Sequence, residues 1–183
     1  MKVNRFKYLI LFFIFYQHTL AKDVYFTRVG EISFFSSAPL EDIQAVNSQV
    51  TCVLDASTGN VAFRVPVPGF IFNNTLMQEH FNENYMESDK FPTAGFKGEI
   101  ADWDSMKLSE EMQDITLIGK MTIHGVTKDI SEKGQIHFMN NMYLGRAKFK
   151  ITVADYGIEI PKIVRDNIAK IVDVTVELEL KKK

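Results

Sequence analysis

Past its first twenty residues the chain is dominated by a period of two. Val61, Phe63, Val65 and Val67 alternate with Ala62, Arg64 and Pro66, and Ile115, Leu117, Gly119, Met121 and Ile123 with Thr116, Ile118, Lys120 and Thr122. Ala147, Phe149 and Ile151 alternate with Arg146, Lys148 and Lys150, and Val172, Val174, Val176, Leu178 and Leu180 with Asp173, Thr175, Glu177 and Glu179. Successive side chains of a strand point to opposite faces, so each run predicts a strand with one face in an apolar interior and one in water. Shorter strands are predicted around Ile32 to Phe35, Val50 to Leu54, Thr93 to Ile100 and Gln135 to Met139. Turn signals at Thr58-Gly59-Asn60, His124-Gly125-Val126 and Asn140-Asn141 separate them. Many short strands between such turns indicate an all-β sandwich or barrel.

One segment departs from this period. Thr75 followed by Gln78 fits a capping box, and Met77, Phe81 and Tyr85 then recur every four residues, which predicts a short amphipathic helix. It should end between Met86 and Asp89, because the residue before Pro92 is pushed out of the helical region. At the other extreme, Lys2, Arg5 and Lys7 precede an unbroken apolar run from Tyr8 to Tyr16, followed by Leu20-Ala21. That order is a secretory signal peptide with cleavage after Ala21, and the run is far shorter than the ~18 apolar residues that cross a bilayer. Residues 22–183 are then expected as one periplasmic or secreted domain.

Export changes the charge balance. The chain carries 21 basic and 23 acidic side chains, and removing the leader removes three basic ones, so no nucleic-acid partner is expected. Cys52 is the only cysteine, so no internal disulfide forms, and its strand-like surroundings predict a buried thiol. No nucleophile elbow, phosphate-binding loop or His-Glu-x-x-His pair occurs. His80, His124 and His137 are too dispersed to read as metal ligands, and the carboxylates of Asp102-Trp103-Asp104 fall short of a calcium shell. The one cheap acid-base candidate is His80 with Glu79 or Glu83; Lys181, Lys182 and Lys183 read as a frayed, solvated tail. The expectation is a protein that is not an enzyme and holds no cofactor or metal.

An interior of Val, Phe, Leu, Ile and Met in a barrel of about eight strands either packs solid or receives an apolar ligand, and periodicity leaves both open. Met77-Gln78-Glu79-His80-Phe81, then Phe91-Pro92-Thr93-Ala94-Gly95-Phe96, then Gly119-Lys120-Met121-Thr122-Ile123-His124-Gly125-Val126-Thr127, then Asp155-Tyr156-Gly157-Ile158 resemble, in order and spacing, the motifs of the YceI-like family. The resemblance implies an extended lipocalin-like antiparallel β-barrel closed by a short helix, with a polyisoprenoid such as a quinone or polyprenyl lipid in its lumen. Phe63, Val65, Leu117, Met121, Phe149 and Ile151 would line that lumen, Phe70, Phe72, Met77 and Phe81 would form a lid, and His80 would sit at the rim. Ser36 to Asn47 replaces the family's usual Gly-rich hairpin, and Gln78-Glu79 stand where a basic residue commonly precedes the helix His. An anionic headgroup would want that cation. The function expected is a non-catalytic carrier or store, with a homodimer left open. The competing reading is an envelope stress or structural interaction module with a packed, ligand-free interior.

Overall fold

A computed structural model describes residues 23–106, 108–164 and 166–183. The leader predicted at residues 1–21 lies outside them. The described strands are β1 (Val24–Ser37), β2 (Asp42–Asp55), β3 (Asn60–Pro66), β4 (Ile71–Phe72), β5 (Thr93–Ile100), β6 (Gln113–Ile123), β7 (Val126–Met139), β8 (Met142–Thr152) and β9 (Ile171–Lys182). The helix α1 (Thr75–His80) runs directly into a π-helical turn at Phe81–Tyr85. All pairings are antiparallel, in the order β1-β9-β8-β7-β6-β5-β3-β2, and β1 closes the ring by pairing with β2. The result is the eight-stranded antiparallel barrel expected, with β4 as an extra two-residue strand against Ala45 and Val46 of β2.

Alternation places the predicted faces. Leu54, Cys52 and Val50 of β2, Val65 of β3, Ile136 of β7, and Val174, Val176 and Leu180 of β9 are buried, while Arg64, Lys148, Lys150 and Glu177 face solvent. The turns take the left-handed backbone their residues tolerate. Asn140 and Asn141 have φ of 52° and 61°, and His124 and Gly125 have 49° and 75°, so each pair makes the tight hairpin turn that suits the strand twist. Gly98 of β5 faces Gly119 of β6, and a Cβ on Gly98 would lie 2.1 Å from the Ile118 carbonyl oxygen and 2.6 Å from the Phe96 ring. The strands approach closely here because neither carries a side chain.

Two local expectations are corrected. Asn74, not Thr75, caps α1: its side-chain oxygen accepts from the N–H groups of Leu76 and Met77, and Gln78 instead accepts the Phe72 N–H. An Asn preceding the first turn wins because its carboxamide reaches two orphan donors at once. The helical run itself ends where the proline signal put it, since past His80 hydrogen bonding widens to the π pattern and the run continues to Tyr85 with Met86 as its C-cap. The basic tail is not frayed. Lys182 belongs to β9, its ammonium lies 2.7 Å from an Asp23 carboxylate oxygen, and the Lys183 N–H donates to the Val24 carbonyl.

The ring is not laddered all the way round. β7 and β8 pair from Gly134–Ala147 down to Met139–Met142, and beyond Gly134 towards the His124 turn they part. The segment after β8 covers this split: Tyr156 and Ile158 are buried and pack with Val126 of β7 and Ile151 of β8. Lys128 of β7 reaches out to Asp155 at 3.3 Å and lies over the Tyr156 ring.

The close approach of β5 and β6 yields a test. Gly98→Ala should cost about 1 to 3 kcal/mol, because backbone atoms must give way. Gly145→Ala, whose Cβ would meet nothing nearer than 3.9 Å, should stay within about 0.5 kcal/mol. Urea unfolding of the two variants checks the ordering.

Candidate functional site

The upper half of the barrel is not filled. A cavity of about 380 Å³ lies between the strand walls and the segment Val67–Met86. That segment leaves β3 through a turn at Val67–Gly69, adds β4 to the edge of β2, and lays α1 and the π turn across the barrel end. Four phenylalanines from three places meet beneath it. Phe34 of β1, Phe70, Phe72 and Phe81 have ring centroids 5.0 to 5.8 Å apart in mostly edge-to-face pairs, an arrangement ring quadrupoles favour.

Ten of the residues singled out from the sequence line this cavity: Phe63, Val65, Phe70, Phe72, Met77, His80, Phe81, Met121, Phe149 and Ile151. Leu117 does not. It lines a second, smaller chamber of about 110 Å³ lower in the barrel, with Phe63, Phe96, Met121 and Phe149 shared as the waist between the two. Opposite Leu117 on β7 stands Glu132, whose stem also lines the lower chamber and whose carboxyl is pushed above its ordinary value by burial. Cys52 lies in the same wall, buried as predicted, and desolvation pushes its thiol up to about 12. A thiol held so far from ionisation is a packing residue.

Several wall residues escaped the sequence reading. Ile32 and Phe34 share the inward face of β1, a period-two signal that was present but short. Met86, Ile158 and Ile168 reach the wall from irregular segments, where no period announces direction. The polar side chains at the cavity are Ser36, Glu41, His80, Tyr85 and Asn167. His80 is exposed at the rim, whereas Glu79 and Glu83 stand in solvent and line no part of the cavity. The acid-base pairing considered for His80 is therefore not assembled around the lumen. Among the described residues no three His, Cys, Asp or Glu side chains gather in a metal-binding group.

His124, whose motif carried no role in the sequence reading, fastens the lid. Its Nε2 lies 3.1 Å from Glu87 Oε2 and its Nδ1 3.3 Å from the Tyr156 carbonyl oxygen, so one ring joins the end of the lid, the β6–β7 turn and the cover over the β7–β8 split. Phe91 packs edge-on against the ring at 4.6 Å. Glu87 itself has φ of 41°, a backbone state uncommon outside glycine and asparagine, held in place by these partners. Lys90, hydrogen-bonded to Glu87, and then the His124 ring hold the Glu87 carboxyl below its ordinary value.

A family model described as a YceI-like domain matches residues 25–180. No curated protein matches the sequence. Among solved structures, a polyisoprenoid-binding domain from Saccharophagus degradans implicated in plant cell wall breakdown is similar with a TM-score of 0.77 at 12% identity, covering 89% of this chain and 100% of that one. BcnA from Burkholderia cenocepacia is similar with a TM-score of 0.68 at 12% identity over 84% and 96% of the two chains. The YCEI protein of Campylobacter jejuni gives 0.55 at 17% identity over 73% and 82%. At these identities the likeness is one of fold. No described helix is long and apolar enough to cross a membrane.

Two outcomes are expected at the lid. A carboxyl whose folded value is lowered contributes stability above its ordinary range, about pH 4.3 for glutamate, and loses it as pH falls through the lowered value. Amide-exchange protection around Met86 to Phe91 should thus drop between pH 5 and about pH 3, modestly because the pair is half-exposed, and Glu87→Gln should flatten that drop. Separately, Phe81→Ala should destabilise by up to about 3 kcal/mol. His80→Ala, at an exposed rim position, should stay within about 0.5 kcal/mol. Thermal unfolding measures both.

Proposed function

The chain belongs to the YceI-like family, and on that premise we propose that it is an exported, non-catalytic carrier or store for a polyisoprenoid lipid. The observation that carries this reading is the unfilled apolar cavity under the phenylalanine lid. A packed interior approaches crystal density with few voids larger than a water molecule, so a void of about 380 Å³ walled by Phe, Ile, Val and Met costs stability unless something occupies it. The Saccharophagus degradans structure described as a polyisoprenoid-binding domain shares the fold and supports an isoprenoid as that occupant.

Branched isoprene units suit such a wall. Each brings five carbons, worth about 3 to 4 kcal/mol of burial before ordering costs at ~0.8 per methylene. The chambers above and below the waist run along the barrel, which favours a tail over a compact molecule. Export follows from the leader pattern of residues 1–21, and a lipid carrier outside the cytoplasm has a use for it. Phe63, Val65, Met121, Phe149 and Ile151 would grip the tail, Leu117 its far end, and Phe70, Phe72, Met77 and Phe81 its near part, with His80 beside the polar end.

Protein purified from its own host should release an isoprenoid lipid on solvent extraction, and native mass spectrometry should show the matching mass difference. Phe70→Ala and Phe72→Ala should lose that lipid while the β-sheet circular dichroism is kept. A wild-type protein free of lipid, whose variants lose only stability, would make the barrel a packed interaction module instead.

A further inference from the structure

The outside of the lumen's open end is itself apolar. Nine large hydrophobic side chains are exposed among the described residues, and five of them, Phe35, Leu40, Ile71, Leu76 and Ile171, stand beside cavity-lining positions of the mouth. Leu40, Ile71 and Leu76 are the most prominent, at 72%, 62% and 57% exposure. Leu40 is the outward neighbour of Glu41 at the tip of the β1–β2 hairpin, and its N–H donates to the Asp166 carbonyl, beside Asn167 and Ile168 of the cavity wall. Ile71 lies between Phe70 and Phe72, and Leu76 precedes Met77 in the first turn of α1. Single exposed hydrophobics are ordinary, but aliphatic side chains on three separate elements around one apolar opening form a collar.

We propose that this collar docks the mouth onto the surface of a phospholipid bilayer, so that a lipid tail passes between bilayer and lumen without crossing water. The inference rests on the lipid-carrier reading of the lumen. Two further features choose the bilayer. Each of Leu40, Ile71 and Leu76 is exposed and adjoins a cavity-lining residue in the chain, Glu41, Phe70 with Phe72, and Met77, so a membrane that takes them up lies at the cavity opening. The described charged residues of the mouth segments are mainly acidic, Glu41, Asp42, Glu79, Glu159 and Asp166 against Lys162 and Lys170, so adsorption to anionic lipid by a basic patch is not the mechanism. Insertion of a few aliphatic side chains into a zwitterionic interface fits this surface.

The test uses the full chain, as wild type and as the double variant Leu40→Asp, Leu76→Asp, whose exposed sites carry little of the fold. Flotation with phosphatidylcholine vesicles measures docking, and uptake of a polyprenyl alcohol presented in detergent measures the lumen separately. Wild type should float with the vesicles at low and high salt, and the variant should bind them more weakly by about tenfold or more, since carboxylates resist entering the apolar interface. Both should take up the alcohol from detergent equally. Wild type that loads from detergent yet ignores vesicles would overturn the docking proposal alone and leave the collar to a protein partner. Binding that needs added phosphatidylglycerol and vanishes in salt would overturn it in favour of charge adsorption. Failure to load from detergent would remove the lumen reading, and this proposal with it.

Discussion

Closure of β1 onto β2 is the constraint from which the rest follows. Once the last two strands of the ring pair, every strand must send one parity of its side chains into a single enclosed space. Lower in the barrel that space is nearly consumed by Tyr25, Leu54, Ile100, Ile136, Tyr143 and Leu180. Higher up, the strands β7 and β8 part and the wall is completed by irregular chain, so the interior widens faster than side chains fill it. The cavity is thus a consequence of incomplete laddering as much as of residue size.

Widening at one end requires a cover, and the cover is built from weak, local devices. β4 contributes two residues of pairing, α1 is six residues long, and the π turn follows at once. Isolated helices of this length are unstable in water, so the lid depends on its apolar underside and on fastenings at its ends. The phenylalanine cluster supplies the first and the His124 ring the second. Such an element opens more readily than the strands it rests on, as ligand-access elements commonly do. On the proposed carrier reading that inequality gives the tail a path, because a rigid barrel with a permanent roof would have none.

Strand identity, strand faces and an all-β sandwich or barrel were legible in the sequence because period two directly encodes which side chains share a side, and the tight turns carried Asn and Gly where φ is positive, whereas the closed barrel was what the YceI-like resemblance implied. The same logic found five residues of the upper wall, Phe63, Val65, Met121, Phe149 and Ile151, since an inward residue of a barrel strand borders the lumen whatever its height, while the other five came from the lid segment. Leu117 was assigned to the right face but not to its chamber, because parity says nothing of depth along the barrel axis. The cap of α1 was misplaced by one residue, as Asn74 and Thr75 are both capping types and only the backbone direction at Asn74 decides between them.

What the sequence by itself determined is therefore direction: which side chains turn to a common apolar interior, where the chain reverses, and that one helix interrupts the strands. Whether that interior is full or empty was decided only by the tertiary structure, because volume depends on how far facing walls stand apart, a distance between residues remote in sequence. The fastening of Glu87 and the Tyr156 carbonyl to His124, across 37 and 32 positions, belongs to the same class. No local pattern encodes such meetings; they arise when the ring closes and brings the lid, the hairpin turn and the cover over the split to one point.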